Sequence, residues 1–192
     1  MKKKNKYAEK VKVQNHNANL SKDMKWIGQV TLMAFILSLA LSFVSDTVIP
    51  NVATIASIVV LILFIALGIV FDMVGVSVTV ADPKVFNSMA SKKIKGAKTA
   101  LLMIKNNSKV SSFCNDVVGD ICGIISGGAG ITIGTSIASM SSTNSVIINL
   151  IITSLIASIT IGGKALGKSH AINRANSILY KFAKIIEIVT FK

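Results

Sequence analysis

The chain has 192 residues, 52% of them hydrophobic and only 15% charged, with a formal net charge of +13, and its mean hydropathy is +0.66. A soluble domain of this length carries about 25% charged residues, so the composition argues against an ordinary soluble protein and for a membrane protein. Aromatic residues make up 6%, too sparse for a surface that stacks nucleic-acid bases; the positive charge is read instead as membrane topology and attraction to anionic headgroups, with no nucleic-acid partner.

Residues 1–25 are polar and rich in lysine and asparagine, the composition of a basic disordered tail. Trp26 to Val44 then runs 19 residues without a charge, close to the 20 or so apolar residues that span a bilayer. It starts late, is long, and has no small-x-small cleavage site near its end, so it reads as a retained helix (26–49) rather than a secretory signal. "SDTVIPN" (45–51) is a turn. Val52 to Phe71 is uncharged again, and the apolar run continues to Val80 with Asp72 as its only charge.

"ADPK" (81–84) is a helix start, with Asp82 as N-cap and Pro83 at the first helical position, and a short helix to about Ala90 is expected. Ser91 is expected to cap a second helix in which Ile94, Ala97, Leu101 and Ile104 form one stripe opposite the lysines. Residues 81–112 thus form a basic amphipathic hairpin. Two weaker spans follow, Phe113 to Ser139 and Ser145 to Gly163. In the third, Gly119, Gly123 and Gly127 recur every fourth residue, a face that lets helices approach closely. The last segment, 169–192, places Ile172, Ile178, Leu179, Phe182, Ile185, Ile186 and Val189 opposite Arg174, Lys181, Lys184 and Lys192, the pattern of an amphipathic juxtamembrane helix.

All 21 Lys and Arg residues fall in 1–25, 81–112 and 164–192, and the links 45–51 and 140–144 hold none. With four spans, the three basic segments lie on one side, which the positive-inside rule makes the cytoplasm. The expectation is an all-α integral membrane protein of a cell membrane, multi-pass, with four transmembrane helices, a basic cytoplasmic hairpin, a C-terminal amphipathic helix and both termini cytoplasmic.

Cys114 and Cys122 are eight apart on one helix, about 12 Å at 1.5 Å rise per residue, too far for a disulfide, and read as small apolar fillers. His16 and His170 stand apart from other ligand types and receive no metal role. No phosphate loop, HExxH, G-x-S-x-G or zinc-spaced Cys/His set is present, so no enzyme is expected.

The chemistry lies in Asp72, Asp116 and Asp120. A charge in the middle of a bilayer costs about 3 kcal/mol or more, so such residues face the bundle interior and need a counter-charge. Three readings stay open: a hard cation such as Mg²⁺ held by Asp72, Asp116, Asp120, Asn115 and nearby Ser or Gly backbone oxygens; a structural pair with Lys164, which follows Gly163 at the end of the fourth span; or placement of Asp116 at the headgroup boundary.

Four blocks in order resemble the transmembrane module of the CNNM/CorC family of magnesium transport proteins, over about 120 of the 192 residues: "VFDMVGVSVTV" (70–80), "MASKKIKGAKTALLMIKNNSKVSS" (89–112), "FCNDVVGDICG" (113–123) and "IGGKALGKSHA" (161–171). The resemblance implies a module at 52–168, a divalent-cation transporter or a diverged homologue of one, and a homodimer in the lipid bilayer. It implies an ion site, Mg²⁺ with Na⁺ as a coupling ion, built mid-membrane from Asp72, Asp116 and Asp120 with backbone oxygens of Gly75 and Gly163. The chain departs from the family pattern: Asp72, Val74 and Gly75 stand where the family has Ser, Ser and Glu, Lys164 stands at an acidic position, and Gly167 at a proline. The nucleotide-binding CBS pair is missing, so no nucleotide is expected. The rival expectation is a non-transporting membrane interaction protein with a buried Lys–Asp pair.

Overall fold

The computed structural model describes residues 20–48, 54–141 and 144–190, and every element in them is helical. The chain runs α1 (Leu20–Val48), α2 (Thr54–Val80), α3 (Pro83–Ser91), α4 (Ala97–Lys105), α5 (Asn107–Ser112), a π-helical segment (Phe113–Gly119), α6 (Asp120–Ser141), α7 (Ser145–Asn173) and α8 (Ala175–Thr190). Among the described residues, four helical stretches are long and apolar enough to cross a membrane: Met24–Phe43, Thr54–Val80, Asn107–Met140 and Ser145–Asn173. That is compatible with a multi-pass membrane protein. Most of the basic tail lies outside the described residues, but α1 begins at Leu20, inside it.

Three of the long helices form the centre. α2 and α6 run antiparallel and meet closely where a side chain at Gly68 would press on Cys122 Cβ, 3.1 Å away, and on Gly119 O, 3.6 Å away. Small residues at such a crossing let two backbones approach without side chains between them. α7 returns beside both, with Gly163 against Ile69, Gly167 against Ile69 and Met73, and Ile156 against Gly130. α1 covers Val117, Ile121 and Ile125 with Val30, Ala34, Leu37 and Leu41. At its start the Lys109 ammonium sits 5.7 Å above the Trp26 ring. The outer faces of α1, α2, α6 and α7 carry exposed Leu, Ile, Val and Phe, as a lipid-facing surface requires.

The short helices gather at one end, together with the lysines. There the chain builds a water-type core: Phe86 and Leu179 are fully buried among Val74, Val78, Ala100, Met103, Ala175 and Ala183. Removing a side chain of that size from water contributes roughly 1.5–3 kcal/mol. The Asp82 carboxylate accepts from Lys84 N–H with Pro83 at the first turn, as the sequence demands. The second expected cap does not form. Ser91 ends α3, its hydroxyl donating to Ser88 O, and α4 starts six residues later, at Ala97 after Gly96. Gly96 has φ +87°, a conformation open to glycine, and packs against the Lys184 backbone while its N–H is held by the Glu187 carboxylate.

The expected C-terminal stripe is also redistributed. α7 continues to Asn173, the chain breaks at Arg174, and α8 buries the narrower set Ala175, Leu179 and Ala183. Ile185, Ile188 and Val189 remain exposed.

Candidate functional site

The helix register brings the charges to one level. Lys168 Nζ on α7 lies 3.6 Å from Asp72 Oδ2 on α2, and Lys164 Nζ, one turn earlier, lies 3.6 Å from Asp120 Oδ1 at the start of α6. The Lys164 ammonium also donates to Gly119 O at 3.4 Å. From this layer the uncharged runs 54–71, 121–140 and 145–163 extend toward the other end. At 1.5 Å per residue they are about 27–30 Å long, one hydrocarbon thickness.

The two pairs differ in surroundings. The Asp72 side chain is 5% exposed, that of Asp120 69%. In the Lys164–Asp120 pair the lysine is partly buried but the aspartate is open, and an open partner of this kind holds such a pair to about 1 kcal/mol. Asp72 is another matter. Its Oδ2 is buried and accepts no hydrogen bond from the described residues, and the Lys168 charge, beyond hydrogen-bond reach but close, offsets its desolvation. A buried carboxylate stripped of such a partner destabilises a fold by about 3–5 kcal/mol.

A second unsatisfied oxygen lies nearby. Asn115, in the π-helical segment, donates through Nδ2 to Ser111 Oγ, but its Oδ1 is buried without a donor among the described residues. That oxygen rests against Gly75, where a methyl group would collide with it. The π-helical turn frequently marks functional positions because its i→i+5 bonding re-aims side chains. Asp116 and Asp120, expected to face the bundle interior, are both exposed.

The structure thus brings Asp72, Gly75, Asn115 and Lys168 to one side of the crossing, and Asp120, Gly119 and Lys164 to the other. It does not gather Asp72, Asp116 and Asp120 into one cup. Among the described residues no three His, Cys, Asp or Glu side chains converge as metal ligands. Gly163 packs on Ile69. The expected glycine face divides: Gly119 is enclosed by Gly68 and Lys164, while Gly123 and Gly127 meet open space. Divalent cations such as Mg²⁺ take six or more oxygens, and one buried carboxylate plus one amide oxygen beside two ammonium groups is a poor match for that demand.

Lys168 carries the most consequential contact in the site; from the sequence it is the family-matching lysine of the block 161–171, not an expected partner of Asp72. Its spacing held the signal: Lys164 and Lys168 are four apart, hence on one face of α7, and Asp72 is the one charge of α2. No protein-family model, curated protein or solved structure matches the chain.

Proposed function

We propose that this chain is a non-transporting membrane interaction protein in which two lysines take the place of a bound cation. Lys168 and Lys164 neutralise Asp72 and Asp120 from within the chain and tie α7 to α2 and α6. The observation that carries this reading is the 3.6 Å approach of Lys168 Nζ to the buried, otherwise unpartnered Asp72 Oδ2. An ammonium already in that position repels a second cation. In this reading the charge layer lies where the hydrocarbon ends on the cytoplasmic side rather than mid-membrane. The hairpin, α8 and both termini face the cytoplasm, and the open Gly123 and Gly127 face pairs with a second copy.

One observation favours a second reading, a CNNM/CorC-like Mg²⁺ transporter with Na⁺ coupling. Asp72 Oδ2 and Asn115 Oδ1 are buried oxygens that lack hydrogen-bond donors, and a cation would satisfy both. Proteoliposomes containing a Mg²⁺-sensitive dye separate the two readings. Under the first, uptake equals that of protein-free vesicles. Uptake that Asp72→Asn abolishes would overturn it in favour of transport.

A further inference from the structure

Four lysines line two adjoining cavities between the α3–α4 turn and α8. Lys93, Lys95 and Lys98 line a cavity of about 260 Å³ with Ile94 and Glu187. A larger neighbouring cleft of about 610 Å³ adds Lys184 and Ile188. The one acidic group in this lining is already engaged, since the Glu187 carboxylate accepts from Gly96 N–H. Among the described residues none of the four lysines is ion-paired with a carboxylate. The joint is held in shape by Gly96, at φ +87°, lying against the backbone of Lys184.

The helix that walls the cleft also packs against an apolar span. The Phe182 ring of α8 packs edge-on against Phe71 of α2, their centroids 5.9 Å apart, immediately before Asp72 in the charge layer. Beyond Phe182, α8 carries the exposed Ile185, Ile188 and Val189. Exposed apolar side chains flanked by lysines such as Lys181 and Lys184 on a helix packed against an apolar span are what an interfacial helix presents to a bilayer.

We infer that this cleft seats the headgroup of an anionic phospholipid, with the phosphate among Lys93, Lys95, Lys98 and Lys184 and the acyl chains along Ile188 and Val189. Lysines near an anionic leaflet are attracted to its headgroups, and four of them line the two adjoining cavities. The inference does not depend on the Lys–Asp reading, because none of these residues belongs to it.

The test uses the full chain in neutral detergent, with melting followed as phosphatidylglycerol, phosphatidylcholine or inorganic phosphate is added. A ligand that binds the folded state raises its melting temperature saturably. Phosphatidylglycerol is expected to raise it by several degrees in the wild type and in a control variant, Lys25→Gln/Lys84→Gln/Lys105→Gln. The effect is expected to vanish in Lys93→Gln/Lys98→Gln/Lys184→Gln, which loses the same charge. Equal responses in the two variants would overturn the site in favour of diffuse attraction. An equal shift from phosphatidylcholine, or from inorganic phosphate alone, would overturn the anionic-lipid assignment. Should the cleft variant not fold, native mass spectrometry of the wild type decides: selective retention of one phosphatidylglycerol over phosphatidylcholine supports the site, and equal retention removes it.

Discussion

Lys168 and Asp72 form a one-sided pair: the carboxylate is buried at 5% exposure, while the lysine that neutralises it is 52% exposed. The two halves of the pair therefore carry unequal penalties when broken. Lys168→Gln leaves a desolvated charge with no partner and is expected to destabilise by about 3 kcal/mol. Asp72→Asn frees a lysine that can swing into solvent, at a cost of about 1 kcal/mol. Melting temperatures in detergent should rank the lysine variant lowest, with the double variant recovering part of the loss; the reverse order would show that Asp72 is held by something other than Lys168.

Lys164–Asp120 should behave as a surface pair. Asp120→Asn is expected to change stability by less than about 1 kcal/mol, and by less still at high salt. A loss of several kcal/mol in unfolding titrations would mean that Asp120 is shielded in the membrane by a neighbour.

Gly96→Ala should be costly, because the position has φ +87° and a Cβ would stand 3.2 Å from the Lys184 backbone. A left-handed conformation costs a non-glycine residue about 1–2 kcal/mol before the crowding is counted. The α3–α4 joint should loosen first, which hydrogen exchange at residues 92–98 would detect as faster exchange than in the wild type.

The open glycine face is expected to join two copies. Gly127→Cys meets nothing within 4 Å in the monomer, so the single chain tolerates it, and mild oxidation should yield a disulfide-linked dimer on a denaturing gel. A monomer band at all oxidant concentrations would remove the dimer through this face.

The topology is directly measurable. In intact cells a membrane-impermeant maleimide should label Asn144→Cys, and label Asn107→Cys only after permeabilisation. Cys114 and Cys122 are buried and give little background. The opposite labelling pattern would invert the orientation.

The spans were legible in the sequence because lipid demands long uncharged runs, and the helix at Pro83 because its cap is local to Asp82 and Lys84. Three features were not. The π-helical turn depends on how Asn115 meets Gly75 across two helices, and no local pattern of residues 113–119 announces it. The start of α4 at Ala97 rather than after Ser91 depends on Gly96 reaching α8, 91 positions away from its partner Glu187. The charge partners depend on register: Lys164 was visible beside its glycine, but Lys168 meets Asp72 only because Gly167 lets α7 sit close to Met73. The expected triad of aspartates does not gather, since Asp116 and Asp120 are exposed while Asp72 is buried.

The most direct test of the central claim is a thermal-shift titration of the purified wild-type chain with Mg²⁺, with Ca²⁺ and Na⁺ alongside. If Lys168 and Lys164 hold the place of a cation, none of the three ions raises the melting temperature saturably, and Asp72→Asn melts lower by the same amount with or without metal. A saturable rise with Mg²⁺ that disappears in Asp72→Asn would contradict it.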